Sequence, residues 1–549
     1  MLNHLKTQSN SSIIWYPFTD TSLKKAKNEN KAIYLLIESN GSYWSTQMQQ
    51  DISTNETVIE LLNERFITIK VNKDERPDIE KYFQKIYSLM NRQSGALPLN
   101  IFLTEELEPF YASSYIAPHA IDAQLGFEEL LRVISKKYIT DYDTLGKKGQ
   151  EVLQYINPQE ENIEATKLHL NIMKTITLHS QQLLDKEFGG FTNAPKFPNI
   201  TTLELLLDVY ELTKEKKVLN SVTLTLDHMS KGGYYDLQDG GFYHYAKDKK
   251  WEEAYKVKTT YDNANLAVLY LRAYQLTEKI AYKTIAFQTL DFMISQQSNS
   301  KLFALKNEKK INSWNAIMVR TLFKAGTVDS KYTRNAIETL EAILSNFYVD
   351  GMLFHIKDEV SKIEIKAFLE DYTQLAESLV IAYQYTLDES FLILATQFSN
   401  LLIEQYYQQG KWIYSTNKFQ IRESIYDQTV PSSLSSALSL LLSISSLVDL
   451  NYKKFVFKTL ELHSYTLMRQ PLSSPTLTRI MLRYLKDDII IKSNSSLLKK
   501  HINKRENLMY PYLLFKNIEE KEFQLSNSHS TIAIENSFEK LVLHLESNA

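Results

Sequence analysis

Along the first 120 residues, short apolar runs alternate with stretches of helical period. "AIYLLI" (32–37) and "ITIKVN" (67–72) read as strands of a largely buried sheet. "NETVIELLNERF" (55–66) and "IEKYFQKIYSLMN" (79–91) carry apolar residues at spacings of three and four and read as helices. "SGALPLNIFLT" and "EPFYASSYI", joined by a turn-like "EELE", then read as a hairpin. The order predicts β-α-β with a crossover followed by a hairpin, a small mixed sheet with flanking helices. After about residue 160 the strand signals fade. Helices are predicted to begin near Thr201, Asp262, Ser313, Glu370, Ser432 and Ser474, with others between them near Ala165, Val218, Ala281, Tyr332, Glu389 and Tyr452. The polar motifs opening the first set recur after 52 residues (262 to 314), 57 (314 to 371) and 56 (371 to 427). A period above fifty residues marks a repeated unit that cannot bury itself alone. Six such hairpins closing on themselves make an (α/α)6 barrel, and its first-set helices collect their N-termini at one mouth.

The predicted organisation is therefore an α/β domain over 1–150, a six-hairpin toroid over 160–490, and a C-terminal extension over 491–549 packing on one or the other. A chain of 549 residues is long enough for about two to four domains. Net charge is -3, with lysine and arginine scattered, so neither nucleic acid nor a membrane surface is implied as a partner. The start, "MLNHLKTQSNSSIIWYPF", has no apolar core of a secretory signal, and no apolar run reaches the roughly 18 residues of a membrane span; a cytoplasmic protein is expected. The absence of cysteine excludes disulfides, thiolate metal sites and thiol catalysis. The eleven histidines show no ligand spacing such as HExxH, so no metal and no cofactor are expected.

The predicted mouth holds the candidate chemistry. Loops before the first-set helices bring Asp262, Glu370, Asp371 and Asp427 toward one end together with Trp251, Tyr261, Asn263, Trp314, Asn315 and Tyr372. Carboxylates among aromatic rings suit sugars, whose C–H faces pack on rings and whose hydroxyls bond carboxylates. The same residues admit a plainer reading, because Asp, Asn and Ser just before a helix are N-caps and aromatics fill cores.

In the first domain, β-α-β followed by a hairpin fits a thioredoxin-like module. The loop "SNGSYWSTQM" occupies the position of its redox site, and Pro98 opens a strand where such folds place a cis-proline facing that loop. "WYPF", "KAKNENKAIYLLI", "IKVNKDERPDIEKYF", "LPLNIFLT" and "SSYIAP" resemble the spermatogenesis-associated, thioredoxin-domain-containing family. That family carries Cys-His-Trp-Cys-His in the loop. Aligned on Trp44 and Met48, its cysteines fall on Ser42 and Ser45, and its histidines on Tyr43 and Thr46. A serine hydroxyl can form no disulfide and does not ionise near neutral pH, so thiol–disulfide exchange is excluded.

The resemblance extends over the second region, where the family is similar in fold to six-hairpin glycosidases and to sugar epimerases. "APKFP" (194–198), Tyr261-Asp262, Trp314-Asn315, Glu370 to Tyr372 and Asp427 match its motifs. Three stretches depart. The family's Pro-His-Phe-Glu-Lys is Ala254 to Lys258, Gly-Gly-Phe-His-Arg-Tyr is Gly240 to Tyr245 with His244 one place later, and Pro-Ser-Gly-Asn-Ser is Pro431 to Ser435. The resemblance thus implies a non-redox protein whose barrel binds a carbohydrate-like or other polar ligand with little or no catalysis. One alternative is an active hydrolase or sugar isomerase using Asp262 with Glu370 or Asp371. The other is a scaffold binding a protein partner through the altered loop face, which exposure of Tyr43 and Trp44 would favour.

Overall fold

The computed structural model describes residues 12–122, 124–157, 164–306, 308–358, 362–508 and 510–548, so the first eleven residues of the N-terminal segment lie outside it. The chain forms two compact units, one running to Glu161 and including Asn417–Ile421, the other comprising Asn162–Thr416 and Arg422–Ala549.

The first unit contains α1 (Asp20–Glu29), β1 (Ala32–Glu38), α2 (Tyr43–Ser53), α3 (Glu56–Arg65), β2 (Phe66–Asn72), α4 (Pro77–Asn91), β3 (Leu99–Leu103), β4 (Pro109–Ser113), α5 (Phe127–Thr140) and α6 (Tyr142–Gln154). Its sheet has the order β2-β1-β3-β4, with β1 parallel to β2 and antiparallel to β3, and β3 antiparallel to β4. All seven residues of the central strand β1 are buried, as its continuous apolar run requires. Period two divides them between two cores: Ile33, Leu35 and Ile37 join α1 and α4 on one face, and Ala32, Tyr34 and Leu36 join α2, α3 and α5 on the other. The inserted segment Asn417–Ile421 contributes Phe419 to the first core, edge-on to Phe18 at 5.3 Å. Buried Asp78 of "ERPD" receives Arg76 Nε and Nη2 at 2.9 and 2.8 Å and Asn417 Nδ2 at 2.8 Å.

In the second unit the long helices form two sets. The inner set is α8 (Ile200–Thr213), α10 (Thr260–Thr277), α12 (Asn312–Gly326), α14 (Leu369–Thr386), α16 (Ser433–Leu447) and α18 (Pro475–Lys486). Each packs on the next and α18 packs back on α8, closing a six-membered ring. The outer set is α7 (Ile172–Leu183), α9 (Lys216–Lys231), α11 (Ile280–Ser295), α13 (Lys331–Phe347), α15 (Glu389–Tyr406) and α17 (Lys453–Arg469). This is the (α/α)6 toroid that the period implies. Inner helices are buried almost all round, and outer helices bury one stripe. Only α7 begins well after its expected start near Ala165, because the preceding segment is extended and its Thr166 amide donates to Ser464 Oγ of α17 at 2.9 Å.

Small ribbons decorate the loops before inner helices: β5 (Tyr245–Ala246) with β6 (Ala254–Tyr255), β7 (Tyr348–Val349) with β8 (Met352–Asp358) and β9 (Ile363–Lys366), and β10 (Tyr407–Gln408) with β11 (Lys411–Trp412). After the ring come β12 (Ile489–Ser493), α19 (Ser495–Leu498), β13 (Leu513–Asn517), β14 (Phe523–Ser526), β15 (Thr531–Glu535) and α20 (Phe538–Asn548). Their sheet has the order β13-β12-β14-β15, with β12 parallel to β13 and the other pairs antiparallel. Strand order and senses repeat those of the first unit's sheet.

Candidate functional site

Two of the inner-helix starts that the sequence marks as a mouth, those of α10 and α12, are built by one repeated device. Asn263 and Asn315 occupy the fourth position of α10 and α12. Asn263 Oδ1 accepts the Phe242 amide at 2.6 Å, while its Nδ2 donates to the Phe242 and Thr259 carbonyls; Asn315 makes the same three bonds with Phe303 and Ile311. Both side chains clasp the preceding loop onto its helix.

The third position carries acid or aromatic. Asp262 accepts Thr259 Oγ1 at 2.7 Å and lies 2.7 Å from His244 Nδ1. Asp371 repeats the arrangement, with His355 Nδ1 at 2.9 and 3.0 Å from its two oxygens and the Ser313 and Phe368 amides donating to them. Glu370 accepts Ser313 Oγ at 3.3 Å and lies 3.8 Å from His355 Nδ1; its side chain keeps 20% exposure, whereas Asp262 and Asp371 are buried. Tyr261 and Trp314 meet edge-on at 4.9 Å, so neighbouring repeats touch. Tyr372 is half-buried against Phe398 and Tyr406. Trp251 is fully buried, its indole donating to the Phe188 carbonyl at 3.1 Å. Asp427 accepts the Ser432 and Thr476 amides at 2.9 and 2.8 Å, and burial pushes its carboxyl up despite those bonds.

Among the described residues, His355, Glu370 and Asp371 are the one trio of histidine and acids whose ligand atoms all lie within 4.8 Å of one another. The distances from His355 Nδ1 to Asp371 are those of a hydrogen bond, and a cation placed there would have to displace the shared proton.

A second constellation runs along the ring's axis, where a cavity of about 340 Å³ reaches from Asn265, Pro431 and Thr476 to Leu508 and Tyr510–Leu514. Charged residues project into it from helices that are otherwise apolar. Arg272 pairs with Asp208 at 2.6 Å and with Glu211; Arg479 pairs with Asp208 at 3.0 Å and with Glu204; Arg320 pairs with Glu377 at 2.5 Å. Arg483 pairs with Asp488 at 2.6 Å. Tyr512 donates to Asp208 at 3.2 Å. Burial pushes the Asp208 carboxyl up, but Arg479 and Arg272 outweigh it and hold the group below the usual carboxylate range. Both arginines are held above their usual range by the same acids. Arg272 and Arg479 retain 17% and 24% exposure inside the closed ring, and that exposure is to the cavity they line.

In the first unit, Ser42 caps α2, accepting the Ser45 amide at 3.2 Å and donating to the Leu97 carbonyl at 3.0 Å. The Leu97–Pro98 peptide is cis. Ser45 is buried and accepts the Ser39 amide at 3.3 Å. Tyr43 and Trp44 are 41% and 50% exposed, and Trp44 packs on Tyr115 with ring centres 4.8 Å apart.

Residues 2–157 match the family model Thioredox_DsbH, described as a protein of unknown function, DUF255. Spermatogenesis-associated protein 20 of Homo sapiens is 30% identical over 304 residues, covering 54% of this chain and 38% of that protein; the Mus musculus protein is 30% identical over 298 residues, covering 53% and 38%. Over about half its length the chain is similar to the spermatogenesis-associated proteins. It spans about 38% of the length of these curated relatives. Among solved structures, a sugar epimerase from a ruminal bacterium is 12% identical with a TM-score of 0.45, covering 53% of this chain and 83% of that one. The GH76A α-1,6-mannanase of Salegentibacter sp. HEL1_6 is 13% identical with a TM-score of 0.45, covering 57% and 98%. The toroid itself rests on the closed ring of helices.

Set beside the spermatogenesis-associated motifs, "APKFP" has a structural task. Buried Lys196 donates to Asp185 and to the Lys249 carbonyl, both at 2.8 Å, and Lys258 does the same for Asp236 and the Gly240 carbonyl at 2.8 and 2.7 Å. Each aspartate opens a D-x-x-x-G-G-F turn, at 185–191 and 236–242. The axial arginines were missed by a reading centred on loops; the available signal was a lone arginine inside apolar helical runs, "LAVLYLRAY" and "IMVRTLF".

Proposed function

We propose that the toroid binds a polar, carbohydrate-like ligand in its axial cavity with little or no catalysis, and that the first unit is a thioredoxin-like scaffold without redox chemistry. One observation carries the first part: each acid lining the cavity, Glu204, Asp208, Glu211 and Glu377, is ion-paired to an arginine. General acid–base work needs a carboxyl positioned on the substrate's proton, and each of these is instead held by the guanidinium it pairs with. A cavity of about 340 Å³ is at the lower end of small-ligand sites, roughly 300–1,000 Å³. Thermal unfolding against a panel of mono- and disaccharides tests the reading. A ligand at about 100 times its dissociation constant adds roughly 2.7 kcal/mol and raises the melting temperature. Arg320→Met should abolish the shift, and a panel without any shift removes the reading.

For the first unit, the intact sheet order β2-β1-β3-β4 and Ser42 acting as the cap of α2 support a retained scaffold. Positions i and i+3 at a helix start suit the 4.4–6.8 Å Cα separation of a disulfide. The Ser42→Cys, Ser45→Cys double variant should therefore acquire a bond that dithiothreitol opens, whereas the parent shows no dithiol-dependent change.

A second reading rests on partly exposed Glu370 beside His355. Here the mouth acids Asp262, Glu370 and Asp371 serve an active carbohydrate enzyme, and Glu370→Gln would remove turnover while leaving the axial ligand bound. A third rests on the half-exposed Tyr43 and Trp44, a face for a protein partner whose capture Trp44→Ala would abolish.

A further inference from the structure

The charges around the axial cavity balance. Five cations line it, Arg272, Arg320, Lys324, Arg479 and Arg483. Four acids line it as well, Glu204, Asp208, Glu211 and Glu377, and a fifth, Asp488, neutralises Arg483 with bonds of 2.6 and 2.7 Å to Nε and Nη2. For the four arginines the pairing is local as well as overall. Asp208 sits between Arg272 and Arg479, Glu211 on Arg272, Glu204 on Arg479, and Glu377 on Arg320.

From this we infer that the cavity selects an uncharged, polyhydroxylated molecule of one or two rings and discriminates against its phosphorylated and carboxylated analogues. The inference rests on the cavity being a binding site, as proposed above. A site for an anion offers guanidinium groups whose donors converge on an empty place. Here a phosphate or carboxylate would have to take an arginine from its acid, leaving that acid buried beside the incoming negative charge. A hydroxyl imposes no such exchange, because it donates to a free lone pair of a carboxylate and accepts from a remaining guanidinium N–H without separating the pair. The rest of the lining agrees. Helix α16 turns Ser436, Ser439 and Ser443 toward the axis, and Ser443 Oγ already accepts Arg483 Nη2 at 3.0 Å, so hydroxyl groups are accommodated within the guanidinium network.

Isothermal titration of the full chain with glucose, mannose and cellobiose, alongside glucose 6-phosphate and glucuronate, tests the inference. At least one neutral sugar should bind, with its anionic analogues at least tenfold weaker. Glu377→Gln leaves one positive charge uncompensated and should narrow that gap by tenfold or more; an unchanged gap would overturn the charge-balance argument. The comparison within the parent protein decides the matter if the variant fails to fold. An anionic analogue binding as tightly as its neutral parent overturns the inference while leaving the cavity a binding site. If neither class binds at millimolar concentration, both fall.

Discussion

Asp236 shows how much one side chain holds at a turn. It accepts Lys258 Nζ at 2.8 Å, Tyr243 Oη at 2.9 Å and the amides of Gln238 and Asp239. Burial pushes its carboxyl up, yet Lys258 and the other donors prevail and bring it down to about 2 from 3.8. A depressed acid contributes stability that is fully present above its unfolded value and is lost as pH falls through the folded one. Between about pH 4 and pH 2 the protein should lose up to about 2 kcal/mol through this group, nearer 1 after solvent screening. Lys258→Met should flatten that decline, read as the urea midpoint at pH 6 against pH 3. Close by, Gly241 has φ +83°, and a Cβ there would meet Asn263 Oδ1 and Phe292 Cδ1 at 2.9 Å. Gly241→Ala should cost about 2–3 kcal/mol by thermal unfolding, by forcing both backbone and neighbour to move. Neither the turn nor the lysine that anchors it was read from the chain, since the two turns find their lysines 11 and 22 residues downstream (185 to 196, 236 to 258).

Elements were the most legible level, because helices here are long and polar residues cluster at their starts. Inner helices begin at Ile200, Thr260, Asn312, Leu369, Ser433 and Pro475, within two residues of the positions read from the chain. Thr259 accepts the Asp262 amide at 3.3 Å as the cap of α10, and Thr259→Ala should cost about 1 kcal/mol in chemical denaturation. What periodicity could not reveal was which way the inner charges point. A helix buried all round has a weak apolar stripe, so an arginine at 272 or 320 reads equally as surface or axis until the ring closes. Asp262, Asn263, Trp314, Asn315, Glu370, Asp371 and Tyr372 lie in first turns of inner helices, and there Asn263 and Asn315 hold backbone, a task that fixes residue type as strictly as ligand contact would.

For the molecule as a whole, the terminal sheet continues the ring's wall. Gln384 of α14 accepts the Phe515 amide at 2.7 Å and donates to its carbonyl at 2.9 Å, and Tyr383 Oη accepts the Asn517 amide at 3.0 Å. Gln384→Ala would leave both backbone groups of Phe515 without these partners and should cost about 2 kcal/mol by thermal unfolding. The ring's own closure has a consequence in time. The bonds joining Arg479 to Asp208 and Glu204 span 271 and 275 residues of chain. At about 5–20 residues per second of synthesis, Asp208 waits roughly 15–55 s for that arginine. Until α18 is made, the growing toroid can form at most an open crescent with its inner face uncovered. Closure is therefore the late, high-contact-order step, and Arg479→Met should slow refolding from urea as well as lower stability, because it removes the ion pairs that draw the last helix to the first.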